Sequence, residues 1–118
     1  MVKKNYRDLE PNIYRQRLVI EGKFKTAPKA DNLSEFLVNL SEALSMTLLY
    51  GPIVKRLTDI PGYEAILIWA ESGCQLYTWD EFKFFTLDIY TCKKFDPQQA
   101  IKLTENCFEI SELVWKEV

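Results

Sequence analysis

The segment at residues 70–81, AESGCQLYTWDE, gathers several side chains that can take part in chemistry. Glu71 and Ser72 stand side by side, and a phenol at Tyr77 and an indole at Trp79 follow. A carboxylate can hold or move a proton, and an indole offers a flat surface on which a planar or cationic ligand can stack. The segment is therefore either a plain hairpin or part of an active site.

The chain has 118 residues and no histidine. This excludes Ser-His and Cys-His catalysis within the chain, together with the usual zinc sites, and we expect no metal. Proton transfer must use Glu, Asp, Cys, Tyr, Lys or water. Cys74, Cys92 and Cys107 form no CxxC motif, which favours reduced thiols in the cytoplasm over a disulfide framework. We expect Cys74 and Cys107 to be core thiols.

Composition points to one soluble domain, with 47% hydrophobic and 27% charged residues. The net charge of −2 argues against non-specific nucleic-acid binding, which needs a basic surface. Lys3, Lys4 and Arg7 form a small basic cluster that we interpret as a solvated tail. No apolar run approaches the ~18 residues of a membrane span, and no signal peptide is expected.

Hydrophobic periodicity predicts the elements that must position the reactive segment. Residues 1–12 are polar and are predicted to be a flexible arm, and residues 13–118 to be a single domain. Apolar residues at helical spacing after Asp31 predict a helix over residues 31–48, ended by Gly51-Pro52. The Asp96-Pro97 pair predicts a second helix over residues 97–107. The predicted strands are residues 15–24, 53–57, 63–70, 74–79, 82–92 and 108–115.

The predicted order is β-α-β-β-β-β-α-β. Three successive strands joined by short turns form an antiparallel meander, and two helices can cover one side of it. The sequence therefore predicts an α/β (α+β) two-layer sandwich, with a mainly antiparallel sheet and two helices on one face.

The second half of the chain carries a series of motifs: Gly62 before an apolar strand, Glu71-Ser72, Thr78-Trp79-Asp80-Glu81, Asp88-Ile89-Tyr90-Thr91-Cys92 and Asp96-Pro97. This series resembles the small prokaryotic S-adenosylmethionine decarboxylase family. The match needs no gap from Gly62 to Cys92 and extends more loosely over roughly residues 13–113. The resemblance implies an S-adenosylmethionine decarboxylase-like sandwich.

Enzymes of that family cut their own chain at a Glu-Ser bond and convert the serine into a pyruvoyl group. The resemblance places this serine at Ser72 and the proton donor of the decarboxylation at Cys92. Three positions differ from the family pattern. Gly73 replaces the histidine that follows the serine, Tyr77 replaces the self-processing histidine, and Glu64 replaces the serine that assists processing. A phenol with an ordinary pKa of about 10 is a poor proton shuttle at pH 7. We therefore expect an intact chain without a pyruvoyl cofactor.

The resemblance also implies residues that bind the ligand. Trp79 would stack on the adenine, Glu81 would accept the ribose hydroxyls, and Glu71 is included in the ligand-binding set. Trp69, Tyr63 and Tyr77 could hold the sulfonium by cation–π attraction, although for Trp69 we favour packing in the sheet. The alternative is that the aromatic residues pack the sheet and that the segment from Thr78 to Glu81 is only a turn.

The carboxylate at Glu64 suggests a different reaction. By analogy, small S-adenosylmethionine lyases of phages and of CRISPR-associated antiviral loci degrade this substrate without a cofactor, relying on a glutamate and tyrosines. Glu64 and Tyr77 are thus our catalytic candidates for a lyase, and Ser72 and Cys92 those for a decarboxylase.

Three functions remain open from the sequence. The favoured one is a cofactor-independent lyase that cleaves S-adenosylmethionine, or its nucleotide conjugate, into a methylthioadenosine-type product and homoserine lactone. The alternatives are a pyruvoyl-dependent decarboxylase, of S-adenosylmethionine for polyamine synthesis or of arginine or ornithine, and a non-catalytic regulator that binds S-adenosylmethionine. We expect a homodimer or homotrimer with the ligand between chains, and no nucleic-acid or membrane partner.

Overall fold

The computed structural model describes residues 5–118, so Lys3 and Lys4 of the predicted basic cluster lie outside the described residues. Within these residues the chain forms six strands and two α-helices in the predicted order. The strands are β1 (Gln16–Phe24), β2 (Leu48–Arg56), β3 (Tyr63–Trp69), β4 (Ser72–Trp79), β5 (Phe84–Thr91) and β6 (Ile110–Glu117). The helices are α1 (Ala30–Ala43) and α2 (Pro97–Cys107). The predicted fold class is confirmed.

All strand pairs are antiparallel, and the sheet has the order β2-β3-β4-β5-β1-β6. The predicted meander is the run β3-β4-β5. Helix α1 packs on β2 and β3, and α2 packs on α1 and β6. Within residues 5–118, both helices thus lie on one side of the sheet. We call the other side, which carries Val19, Ile66, Ile68, Gln75 and Tyr90, the open face.

The core lies between the sheet and the helices. Alternate strand residues such as Leu18, Leu67 and Leu87 point into it and are buried, as are the apolar residues of α1. The indole of Trp69 is also buried there and donates a hydrogen bond to Ser41 Oγ at 2.8 Å. Trp69 therefore fixes β3 to α1 and belongs to the core.

The end of α1 differs from the prediction. The helix stops at Ala43, and Leu48 is the first residue of β2, although its spacing continues the helical pattern. Ser45 has a left-handed φ of 56°, which ends the helix early. Gly51-Pro52 consequently lies inside β2, where the pairing with β3 is irregular, and does not break a helix.

The predicted N-terminal cap is confirmed for α2 and wrong for α1. Asp96 caps α2 as predicted, because its carboxylate accepts a hydrogen bond from the Gln98 N–H at 3.0 Å. The predicted cap at Asp31 is wrong, since α1 already begins at Ala30. The side chain of Asn32 accepts a hydrogen bond from the Lys29 N–H at that end.

No helix within residues 5–118 is long and apolar enough to cross a lipid bilayer.

The close approach of β3 and β4 generates a prediction about Gly62. A Cβ at this position would lie 1.9 Å from the carbonyl oxygen of Thr78, so any side chain must push the two strands apart. Gly62→Ala should lower the free energy of unfolding by about 1–3 kcal/mol in urea denaturation. Asp59→Ala, an exposed change in the same turn, should stay within about 0.5 kcal/mol of wild type. Equal stabilities of the two variants would contradict the close contact.

Candidate functional site

The predicted site residues form two groups at opposite ends of β4. Glu71, Ser72 and Cys92 lie at the turn between β3 and β4, whereas Tyr77 and the residues around it lie towards the other end. Ser72 and Tyr77 are separated by five residues of an extended strand, or about 17 Å. A single chain therefore does not bring the two groups into one site.

The first group surrounds the peptide carbonyl of Glu71. The Glu71 oxygen accepts hydrogen bonds from the Cys92 N–H at 2.9 Å and from the Cys92 thiol at 3.2 Å. Ser72 Oγ lies 4.0 Å from the Cys92 sulfur. Ser72 also has a φ of 142°, which is unfavourable for a residue with a side chain. Two donors thus polarise the carbonyl that precedes a strained serine.

The side chain of Glu71 is held by its own chain. Its carboxylate accepts hydrogen bonds from the Thr47 N–H at 2.9 Å and the Thr47 hydroxyl at 3.2 Å. The bond from the Thr47 N–H is the main reason why the pKa of Glu71 is lowered, and the charge of Lys93 adds to it. Lys93 itself donates to the Ser45 carbonyl at 2.6 Å. These contacts tie the turn to the segment between α1 and β2.

The second group contains Glu64 and Tyr77, which face each other across β3 and β4 on the open face. The Tyr77 hydroxyl donates a hydrogen bond to Glu64 Oε1 at 3.1 Å. Desolvation, followed by this bond, raises the pKa of Tyr77, so the phenol stays protonated at neutral pH. The two residues at which the resemblance implies the self-processing histidine and the assisting serine thus contact each other. Lys55 lies opposite Glu64 on β2.

An aromatic cluster continues from Tyr77 along the open face. The Trp79 ring lies 6.3 Å from the Tyr77 ring and 5.5 Å from the Phe84 ring, tilted by 36° to both. Trp79 is half-buried, and Glu81 is exposed in the short 3₁₀ turn that follows β4. This turn, Asp80–Phe82, is why β5 begins at Phe84 and not at the predicted residue 82.

Tyr63 does not join this cluster. Alternation along β3 places it on the helix side of the sheet, together with Ala65. The Arg56 guanidinium covers its ring at 4.8 Å and forms an ion pair with Asp80 at 2.6 Å. The Tyr63 N–H donates to Thr78 Oγ1 at 2.9 Å, so the residue helps to position the end of β4.

The open face also carries a cavity of about 710 Å³, which was not predicted from the sequence. Arg17, Gln75, Asp88 and Tyr90 contribute polar and aromatic side chains to its lining. These residues come from three strands and are brought together by strand register, which periodicity alone does not provide. Gly73 also forms part of the lining. It occupies the position at which the resemblance implies a histidine.

The two thiols predicted to lie in the core, Cys74 and Cys107, differ in burial. Cys74 is buried as predicted, and burial raises its pKa to about 12. Cys107 is exposed at the end of α2, so its prediction as a core thiol is wrong. Within residues 5–118, no group of three or more acidic or cysteine side chains could hold a metal ion.

Comparisons with known proteins agree on one family. The model of the family "S-adenosylmethionine decarboxylase" matches residues 20–118. The S-adenosylmethionine decarboxylase proenzyme of Clostridium botulinum strain Loch Maree / Type A3 is 31% identical over 97 residues, which is 77% of this chain and 82% of that protein. The proenzyme of strain Hall is 29% identical over 89 residues, or 72% of each chain.

A solved structure agrees with the fold. The crystal structure of the adenosylmethionine decarboxylase from Aquifex aeolicus VF5 superimposes with a TM-score of 0.71, at 16% sequence identity. The match covers 90% of this chain and 89% of that one. At this identity, the similarity concerns the fold.

The contacts of Glu71 generate a prediction about acid stability. Because the pKa of Glu71 in the folded chain is lowered from 4.5, its charged form contributes stability above this pH, and the contribution is lost as the pH falls through the folded pKa. In urea denaturation, wild type should be more stable than Glu71→Gln at pH 6, and the difference should shrink as the pH falls below 4.5 and through the lowered pKa of the folded chain. Glu105→Gln on the exposed side of α2 is the control. Parallel curves for Glu71→Gln would contradict the assignment.

Proposed function

Because the chain belongs to the S-adenosylmethionine decarboxylase family, we propose that it binds S-adenosylmethionine, or a nucleotide conjugate of it, on the open face and cleaves it as a cofactor-independent lyase. The observation that carries this proposal is the hydrogen bond between Tyr77 and Glu64. It holds a carboxylate on the open face, between an aromatic cluster and a cavity, where a sulfonium can be bound.

The order of side chains along β4 supports this placement. Trp79 offers a stacking surface for the adenine, and Glu81 next to it offers a carboxylate for the ribose hydroxyls. Tyr77 lies two residues from Trp79 on the same face, about 7 Å away. Glu64 and the Tyr77 ring would then meet the sulfonium through charge and through cation–π attraction, the latter worth about 0.5–2 kcal/mol.

The proposed reaction needs no group beyond the substrate. A carboxylate oxygen of the substrate attacks its own γ-carbon, a C–O bond forms, and the C–S bond breaks with its electron pair going to sulfur. The products are neutral methylthioadenosine and homoserine lactone, and no proton, water or electron acceptor is consumed. Opposite charges vanish along this path, so a dry site that folds the methionine chain favours it.

A second copy of the chain would supply the dry environment. The open face exposes Ile68 by 50%, Ile53 by 44% and Tyr90 by 39%, which is unusual for apolar groups on one sheet surface. We propose a homodimer or homotrimer in which another copy covers this face. The ligand would then lie between chains and out of water.

The geometry at Glu71 favours a second candidate, a pyruvoyl-dependent decarboxylase of S-adenosylmethionine, arginine or ornithine. Two donors to the Glu71 carbonyl and the strained φ of Ser72 suit an attack of the serine on that carbonyl. For an adenosyl substrate this candidate requires two chains, because Ser72 and Trp79 lie about 24 Å apart along β4. The third candidate is a protein that binds the ligand without converting it.

The two enzymatic candidates predict different covalent states. We expect purified protein to give one chain near 13.9 kDa in intact mass spectrometry, because Tyr77 is bound to Glu64 and keeps its proton. Two stoichiometric fragments, one ending at Glu71 and the other beginning with a pyruvoyl group, would contradict the lyase and support the decarboxylase.

The two candidates also depend on different residues. Glu64→Gln removes the charge beside the sulfonium while nearly conserving shape, and should lower methylthioadenosine formation at subsaturating substrate about tenfold to hundredfold. Ser72→Ala should leave that rate largely unchanged. The assay incubates the protein with S-adenosylmethionine or its nucleotide conjugate and separates the products by chromatography.

The outcomes separate all three candidates. Methylthioadenosine with homoserine lactone, lost in Glu64→Gln and kept in Ser72→Ala, supports the lyase. Carbon dioxide release that is lost in Ser72→Ala supports the decarboxylase. Binding without either product leaves the regulator.

A further inference from the structure

The cavity on the open face has the size of a small-molecule site. Its volume of about 710 Å³ lies within the range of about 300–1,000 Å³ that such sites occupy. Val19, Ile66 and Ile68 provide apolar walls, and Gly73 lies at its edge with a φ of +157°. A Cβ on Gly73 would lie 2.5 Å from the Leu67 carbonyl oxygen, so the backbone excludes a side chain here and the space stays open.

Arg17 lies at one side of this cavity. Its guanidinium carbon is 4.8 Å from the centre of the Tyr90 ring, its partner across β1 and β5. In the part of the chain that the structure describes, the ion pairs are those of Arg15 and Arg56, and Arg17 takes part in neither. Stacking fixes the plane of a guanidinium and leaves its N–H groups directed outward, a geometry that suits a carboxylate.

Asp88 supplies the opposite charge. It is exposed on β5, opposite Gln75 on β4 and Val19 on β1. Asp88 is thus a diagonal neighbour of Arg17, with a typical backbone separation of about 7–8 Å. The carboxylate and guanidinium are not paired within 4.0 Å among residues 5–118, so the cavity presents a cation and an anion that do not neutralise each other.

We propose that this cavity binds the α-amino-acid end of the ligand, with Arg17 binding the carboxylate and Asp88, assisted by the Gln75 amide, binding the ammonium group. An α-amino acid carries both charges on one carbon atom, so it can bridge the two side chains across the gap. A simple anion or a simple amine would use only half of the site.

The position of the cavity agrees with the proposed function, on which this inference rests for the other end of the ligand. Gln75 lies two residues beyond Tyr77 on the same face of β4, again about 7 Å away. Along β4, Trp79 is followed by Tyr77 and then by Gln75. Tyr77 lies opposite Glu64 on β3, and Gln75 lies opposite Asp88 on β5. This order along β4 is that of base, sulfonium and amino acid in an extended ligand.

Arg17 is a binding residue in this arrangement and is not catalytic. Arg17 holds the carboxylate of the extended ligand, and the carboxylate leaves Arg17 when the methionine chain folds to bring it to the γ-carbon. The contact with Arg17 therefore belongs to the bound substrate and not to the transition state. Replacing Arg17 should therefore raise KM without lowering kcat.

The test compares ligands that lack one group at a time. S-adenosylmethionine carries both charges of the amino acid, decarboxylated S-adenosylmethionine keeps only the ammonium group, and methylthioadenosine has neither. Affinities are measured for wild type, Arg17→Gln and Asp88→Asn, after thermal unfolding has shown equal stability. Calorimetry gives the dissociation constant of each ligand that stays intact, and KM replaces it for a ligand that is cleaved. Lys116→Gln removes a charge elsewhere on the open face and is the matched control.

Arg17→Gln should weaken S-adenosylmethionine binding about tenfold and leave the other two ligands unchanged. Asp88→Asn should weaken binding of both ligands that carry the ammonium group and leave methylthioadenosine unchanged. Lys116→Gln should show no such discrimination. Equal losses for all three ligands, or no loss, would overturn the inference while leaving the proposed function intact.

If wild type binds no adenosyl ligand, the proposed function fails and the subsite is tested alone. L-methionine and 3-(methylthio)propylamine, which lacks the carboxylate, are then titrated while the amide signals of Gly73 and Gln75 are followed by NMR. Shifts with methionine that disappear in Arg17→Gln support the subsite. The absence of shifts overturns it.

Discussion

The sheet of this protein is covered by its own helices on one side, and the other features depend on this asymmetry. Alternate residues of each strand are committed to the core, where Trp69 and Ser41 join sheet and helix through a buried hydrogen bond. The intervening residues are released from that packing. They can therefore carry Glu64, Tyr77 and Asp88, whose burial in the core would be costly.

Glu64 and Tyr77 form one hydrogen-bonded pair on the open face. Together they satisfy each other at 3.1 Å, and the phenol keeps its proton because its pKa is raised. The Glu71 carbonyl accepts two hydrogen bonds from Cys92, and the Glu71 carboxylate ties the same turn to Thr47. The contacts of this turn therefore have a structural use of their own, because they join it to the end of β5 and to the segment between α1 and β2.

The sequence predicted the features that depend on local patterns. Alternation identified the meander, and Asp96-Pro97 identified the start of α2. The same reasoning failed at Leu48, because a leucine at helical spacing can equally begin a strand, and the turn at Ser45 has no strong signal. Strand register decides what periodicity cannot: it places Tyr77 opposite Glu64 across β3 and β4, and brings Arg17 near Asp88 across β1 and β5. The sequence therefore predicted several residues of the candidate site, but it could not predict which of them contact each other.

The order of the strands has a consequence for the bond between Glu71 and Ser72. The segment before this bond contributes β1, β2 and β3, and the segment after it contributes β4, β5 and β6. In the sheet, β1 lies between β5 and β6, so a strand of the first segment is enclosed by strands of the second. The two segments are thus interleaved, and ladder hydrogen bonds on both sides of β1 hold them together without the peptide bond. The fold has the topology of a split protein, in which two separate peptides could reassemble one sheet.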